Sequence, residues 1–98
     1  MSQLFSLGQI VTTPGIQELN LPELVLSGLL NRHSHGDWGN ISEPDATQNL
    51  LGVQTQGMIM SAYPIDPKLP NTDHGDNCIW VITDPGHATT TVLLPDEY

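Results

Sequence analysis

The chain has 98 residues, and its 11 acidic side chains stand against only two basic ones, Arg32 and Lys68, for a formal net charge of −9. Direct phosphate binding needs clustered Lys and Arg, so the composition argues against nucleic acid as a direct ligand. No apolar run approaches the roughly 20 residues of a membrane span, and the length predicts a single domain over residues 1–98.

The N-terminal part predicts a short strand followed by a break. Residues 8–13 alternate weakly and include the β-branched pair Ile10 and Val11, which favours a short strand or an extended arm. Pro14 and Gly15 then interrupt that segment.

The expected cellular location and the state of the cysteine are inferred from the N-terminal residues and the cysteine count. The first five residues, Met1-Ser2-Gln3-Leu4-Phe5, lack the basic and apolar stretches of a signal peptide. Cys78 has no second cysteine to pair with, which fits a reducing compartment. We therefore expect a cytoplasmic protein in which Cys78 is a buried structural thiol.

The first helix is predicted after residue 20. Asn20 is a suitable N-cap, Pro22 suits the first turn, and Glu23 completes the pattern. Apolar side chains then recur at helical spacing, which predicts that they face the core. They are Leu21, Leu24, Val25, Leu29 and Leu30.

A second helix is predicted from the run Ser42-Glu43-Pro44-Asp45, which offers a cap, an early proline and an acid at the third position. It is expected to run to about Gln56 and to end at Gly57. Its predicted inward residues are Ala46, Leu50 and Val53.

The C-terminal half predicts three strands, over residues 58–63, 78–83 and 89–94. The turn Asp84-Pro85-Gly86-His87 joins the last two as an antiparallel hairpin, and residues 66–76 form a loop. The expected fold class is α+β: two short helices packed on one face of a three-stranded antiparallel meander, with a possible short N-terminal strand.

The densest polar cluster is Arg32-His33-Ser34-His35-Gly36-Asp37-Trp38-Gly39. His33, His35 and Asp37 are an alternative metal site or a hydrolase-like acid–base site, although their spacing matches no specific motif. The favoured interpretation is structural. Arg32 and His33 complement a helix C-terminus, Trp38 anchors the core, and Asp37 bonds loop amides. We accordingly predict no cofactor and no enzyme activity.

Distinctive blocks run through nearly the whole chain, and the most specific are Gly36-Asp37-Trp38-Gly39, preceded by Arg32-His33, and the run from Thr90 to Tyr98. The others are Leu7-Gly8-Gln9-Ile10-Val11, Thr13-Pro14-Gly15, Ser61-Ala62-Tyr63 and Trp80-Val81-Ile82-Thr83. Together they resemble a family of small uncharacterised bacterial proteins, often called plasmid-related and sometimes labelled type I restriction–modification subunits. The resemblance implies a mobile-element setting, in which small accessory proteins often blunt host defences. It implies no catalytic residue, and the restriction label cannot be literal because the chain has no cofactor-binding glycine loop.

The acidity predicts a partner with a basic surface. We expect an inhibitor of a host defence complex, of anti-restriction or anti-CRISPR type, acting by nucleic-acid mimicry. Trp38, Tyr63 and Tyr98 would be anchors if they are exposed, and exposed sheet edges would also allow a homodimer. An accessory factor whose acidity serves only solubility is the alternative. The candidate binding residues are Asp37, Trp38, Glu43, Asp45, Tyr63, Asp66, Asp73, Asp76 and Tyr98.

Overall fold

A computed structural model describes residues 3–98. It shows an α+β fold in which three helices and one four-stranded sheet follow the order β–α–α–α–β–β–β. A short 3-10 helix, Pro95–Glu97, ends the chain. The strands are β1 Gln9–Thr12, β2 Ile59–Tyr63, β3 Ile79–Thr83 and β4 Thr89–Leu93, and the helices are α1 Pro14–Glu18, α2 Glu23–Ser34 and α3 Glu43–Thr55.

The sheet is mixed, so the prediction of a three-stranded antiparallel meander is right in part. Strands β2, β3 and β4 do form that meander, with the predicted turn between β3 and β4. However, β1 adds to β4 in parallel, which gives the order β1-β4-β3-β2. Gly8 permits this pairing because its φ is +64° and an added Cβ would lie 2.2 Å from the Ala88 carbonyl oxygen.

One predicted helix start needs correction, and a short helix that was not predicted precedes it. Strand β1 ends at Thr12, so Pro14 and Gly15 interrupt it as predicted, and Pro14 then occupies the first turn of α1, where its missing N–H costs nothing. Asn20 does not cap α2. It has a φ of +51° in the turn before that helix, and Pro22 takes the N-cap position without a side-chain bond.

The inward face of α2 differs from the predicted one. Leu29 is buried as expected, but Leu24 is 87% exposed and Val25 is also exposed. The buried stripe instead follows Leu26, Leu29, Leu30 and His33, a spacing of three, four and seven residues. His33 thus occupies a core position, and this rotates the helix away from Leu24.

The second predicted helix, α3, begins as expected. The Ser42 hydroxyl accepts a hydrogen bond from the Asp45 N–H at 3.3 Å, and Gln56, in a left-handed conformation, ends the helix one residue before Gly57. Ala46 and Val53 pack against the core. Leu50 was predicted inward and is exposed, because the buried face carries Asn49 instead.

The core lies between the helices and one face of the sheet, in two clusters. The larger joins Ile16 and Leu29 to the β-strand residues Tyr63, Ile79, Val81 and Val92. The smaller contains Phe5, Trp38 and Ile59, which confirms Trp38 as a core anchor. Cys78 is also buried, as predicted, and burial raises the pKa of its thiol. No helix within residues 3–98 is both long enough and apolar enough to cross a membrane.

Candidate functional site

The outer edge of β2 is closed by two sets of hydrogen bonds, one from a side chain and one from the backbone of a neighbouring segment. The Asn49 side chain donates to the Met60 carbonyl oxygen at 2.7 Å and accepts from the Met60 N–H at 2.9 Å. Further along, the Ala62 N–H donates to the Trp38 carbonyl oxygen at 3.1 Å, and the Asn40 N–H donates to the Ala62 carbonyl oxygen at 2.8 Å. All four outward-facing backbone groups of Met60 and Ala62 are therefore bonded.

Gly39 makes the backbone hydrogen bonds to Ala62 possible. Its φ is +72°, and a Cβ at this position would lie 2.0 Å from the Ala62 carbonyl oxygen. The Gly36-Asp37-Trp38-Gly39 block therefore has a structural explanation: Trp38 fills the core while Gly39 forms an isolated bridge with Ala62.

The opposite edge, at β1, is open. The N–H groups of Gln9 and Thr13 donate to carbonyl oxygens on the β4 side at 2.9 and 3.1 Å. Because backbone groups alternate along a strand, the N–H groups of Ile10 and Thr12 and the Ile10 carbonyl point away from β4. The Thr12 carbonyl accepts from the Gln17 side chain at 3.2 Å. We call the three groups of Ile10 and Thr12 that point away from β4 the open edge.

A buried chain of hydrogen bonds crosses beneath the sheet from the closed edge towards the open edge. His33 Nδ1 lies 2.5 Å from the Ser61 hydroxyl of β2, and Nε2 lies 2.9 Å from the Thr83 hydroxyl of β3. Thr83 contacts the Thr90 hydroxyl of β4 at 2.7 Å, and Thr90 donates to the Leu7 carbonyl oxygen at 2.6 Å. We call this chain the His33 relay.

The direction of each bond in the relay follows from its last member. The Leu7 carbonyl can only accept, so Thr90 donates to it and must accept from Thr83. Thr83 in turn accepts from Nε2–H of His33, which leaves Nδ1 to accept from Ser61. The relay is fully satisfied by a neutral imidazole. Burial, with a smaller contribution from His87, lowers the pKa of His33 to about 3.

The alternative metal or acid–base site is not assembled. His33 faces Ser61 and Thr83, His35 contacts the Asn31 carbonyl oxygen at 2.7 Å, and Asp37 faces Arg32. No group of three His, Cys, Asp or Glu side chains within residues 3–98 is arranged to hold a metal ion. His33 and Ser61 resemble a nucleophile and its base, but both are fully buried.

Asp37 has a second role besides the predicted one. Its carboxylate accepts a backbone hydrogen bond from Gly39, as predicted for a loop amide, and also holds the Arg32 guanidinium at 2.7 and 3.2 Å. Arg32 also lies 4.5 Å from the centre of the Tyr63 ring, and the Tyr63 hydroxyl donates to the Asp37 carbonyl oxygen at 2.6 Å. The hydrogen bond from Arg32 lowers the pKa of Asp37, and burial raises the pKa of Tyr63 to about 12.

Of the three predicted aromatic anchors, only Tyr98 is on the surface. Trp38 and Tyr63 are buried, so neither can contact a partner. Tyr98 is 77% exposed and meets the edge of Trp80, with ring centres 5.7 Å apart. Trp80 also donates from Nε1 to the Asp73 carbonyl oxygen at 2.6 Å, which holds the long loop beside the chain end.

The predicted acidic residues are at the surface but not in one patch. Glu43 and Asp45 lie in the first turn of α3, and Asp45 lines a groove of about 250 Å³ between α3 and β2. Asp76 lines a second cleft, of about 190 Å³, together with Asp96. Asp66 and Asp73 belong to the loop between β2 and β3, where Asp66 accepts from the Lys68 N–H and Asp73 contacts His74.

Sequence reasoning missed the polar residues that close and cross-link the sheet. Asn49 lies at an inward helical position, Ser61 and Thr83 lie in largely apolar strands, and Thr90 is the middle of three consecutive threonines in β4. A single polar residue on the buried face of each strand was the available signal. Glu97 was also missed. It accepts from the Thr13 hydroxyl and the Gly15 N–H at 2.6 and 3.0 Å, which ties the chain end to α1.

No family model, no curated protein and no solved structure matches this chain.

Proposed function

We propose that this chain is a protein-binding inhibitor that presents an anionic surface to the basic, nucleic-acid-binding face of a host defence complex in the cytoplasm. The defence setting comes from the sequence resemblance to plasmid-related proteins. The binding mode comes from the net charge of −9, which favours association with a cationic macromolecule.

The observation that carries the proposal is the imbalance of charge left after internal pairing. Arg32 is held by Asp37, and no other Lys or Arg within residues 3–98 makes an ion pair. Eleven acids less Asp37 leave ten carboxylates against Lys68 alone. Carboxylates that have no cationic partner in their own chain are available for one in another chain.

Exposed apolar side chains supplement this charge. Leu51 and Met58 are both exposed and line the groove whose rim carries Asp45. Apolar area beside a carboxylate is suited to a Lys or Arg side chain, whose stem packs on the apolar part while its head reaches the acid. The groove and Tyr98 take over the anchoring role that was predicted for Trp38 and Tyr63.

The test is recovery of partners by the tagged full chain from host cells at low and high salt, followed by measurement with the purified partner. We expect a restriction or CRISPR complex whose affinity falls steeply as salt rises, because exposed charges are screened. Affinity that is equal at both salt concentrations contradicts the proposal, as does recovery of no defence complex.

A charge-neutral variant provides the matched comparison. Replacing Glu43, Asp45 and Asp76 by Gln, Asn and Asn removes three charges without removing an ion pair, and the fold should be kept. We expect at least about tenfold weaker binding and a shallower salt dependence. Unchanged binding would instead favour an accessory protein whose acidity serves solubility alone.

A further inference from the structure

The open edge lacks most of the common protections against strand addition. Exposed edges are usually blunted by short length, Lys, Pro, bulges or covering segments. Strand β1 is short, and the Gln17 side chain covers the Thr12 carbonyl, but Gln9–Thr12 contains no Lys or Pro and no side chain within residues 3–98 bonds the other outward groups of Ile10 and Thr12. Ile10 and Val11 are both exposed there. By contrast, the β2 edge is covered at every outward backbone group, so the fold protects one edge and leaves the other available.

The backbone of the open edge specifies an extended occupant. Two N–H groups and one carbonyl of Ile10 and Thr12 point outwards along a strand, and only another extended backbone matches that spacing of donors and acceptor. A helix or a compact surface would leave them unbonded.

Charge selects the composition of that occupant. Glu18 follows Gln17, whose side chain bonds Thr12, and Glu97 bonds the Thr13 hydroxyl, so two carboxylates lie beyond one end of the open edge. Residues 3–31 contain no Lys or Arg. A second copy of this chain would carry the same excess of negative charge, whereas a cationic strand would meet these carboxylates favourably.

We propose that the open edge binds an extended, cationic segment of the partner protein as a fifth strand of the sheet. This inference rests on the proposed function, because it places the cationic partner at one location. Side chains of the added strand alternate between the two faces of the sheet, next to Ile10 on one face and Val11 on the other. Its Lys or Arg residues lie towards Glu18 and Glu97, beyond the Thr12 end of β1.

The experiment uses the full chain and a blocked octapeptide of alternating Lys and Val as the probe. Amide hydrogen exchange is followed by NMR with and without saturating peptide. We expect exchange at Ile10 and Thr12 to slow by about tenfold or more, with no change at Met60 and Ala62. An octapeptide of the same length with Glu in place of Lys should not bind.

Variants at one position separate the backbone from the side chain. Ile10→Pro removes an outward N–H but no bond to β4, and we expect at least about tenfold weaker peptide binding. Ile10→Ala keeps the N–H, so its loss should stay below about threefold. Ile10→Lys keeps the backbone but repels a cationic strand and should also weaken binding. Thermal unfolding of each variant verifies that it is folded.

The outcomes distinguish this inference from the proposed function. Peptide binding that leaves exchange at Ile10 and Thr12 unchanged overturns the inference, while the preference for cationic partners survives. Failure of the Lys–Val peptide to bind overturns the inference as well, and a salt-insensitive natural partner then removes the proposed function separately. Sedimentation that shows a dimer formed through β1 also overturns it, because a second copy would occupy the edge.

Discussion

The two edges of the sheet solve the same physical problem in opposite ways. At β2, the Asn49 side chain bonds the N–H and carbonyl of Met60. The backbone of residues 38–40 bonds the N–H and carbonyl of Ala62. At β1, the Gln17 side chain covers the Thr12 carbonyl, but the other three outward groups of Ile10 and Thr12 have no partner within residues 3–98, although both edges are of similar length. A chain that closes one edge with such specific contacts has the means to close the other. This difference is the basis for the proposal that the β1 edge binds a partner strand.

The His33 relay connects the two edges into one unit. It touches β2, β3 and β4 in turn and ends on Leu7, immediately before Gly8 and β1. The relay therefore fixes the segment that leads into β1 to the buried face of β4.

The largest expected effect concerns the relay and pH. The pKa of His33 falls from 6.5 to about 3 on folding, so between these pH values the unfolded chain binds the extra proton. The contribution of His33 to stability is thus fully present above pH 6.5 and is lost as pH falls towards 3, by about 5 kcal/mol in total. Urea unfolding at a series of pH values measures it.

A control is needed because the pKa values of Asp37 and Glu97 are also lowered in the folded protein. Protonation of these two carboxylates in acid therefore destabilises the fold as well. His33→Gln retains hydrogen-bonding atoms but does not titrate. Its stability should depend less on pH between 6.5 and 4 than that of the unaltered chain. Identical slopes would show that His33 is not held neutral by the relay.

The next effect tests the closed edge. Gly39→Ala places a methyl group against the Ala62 carbonyl oxygen, and we expect a loss of at least about 3 kcal/mol. Gly75→Ala is the matched control, since its φ of +96° is equally left-handed but an added Cβ would meet open space. Its cost should be about 1 to 2 kcal/mol, from backbone strain alone. Equal losses in denaturant unfolding would remove the special role of Gly39.

Asn49→Ala should have a smaller effect at the same edge. It removes both bonds to Met60 and leaves a partly buried N–H and carbonyl unsatisfied, which costs about 2 kcal/mol. The neighbouring exposed Gln48→Ala should change stability by less than about 0.5 kcal/mol. If thermal melts show the two variants to be equally stable, Asn49 does not close the edge.

The smallest effect is expected at the open edge. Ile10→Pro should change the free energy of unfolding by less than about 1 kcal/mol, because the N–H that it removes has no partner in the free chain. A loss above about 2 kcal/mol in urea unfolding would mean that this N–H is already bonded.

Local sequence patterns correctly predicted several features of the fold. The Ser42 cap, the hairpin turn at Asp84-Pro85-Gly86-His87, the loop over residues 66–76 and Trp38 in the core were all correct. The cap, the turn and the loop depend on residues a few positions apart, and the burial of Trp38 follows from its large apolar ring.

What sequence reasoning missed depends on distant partners. The β1–β4 pairing joins residues 80 apart, and the bonds of His33 to Ser61 and Thr83 span 28 and 50 residues. A polar residue that bonds a distant partner can be buried in the core. A prediction from apolar periodicity alone then places neighbouring apolar residues in the core instead. For this reason Leu24 and Leu50 were wrongly predicted to face inwards. The buried face of α2 carries His33, and the buried face of α3 carries Asn49.

The most direct test of the contrast between the edges is native-state amide exchange in the free full chain, read residue by residue. We predict that the Met60 and Ala62 amides exchange at least about 100-fold more slowly than those of Ile10 and Thr12. Comparable protection at all four amides would contradict the account, because it would show that the edge at β1 is as well covered as the edge at β2.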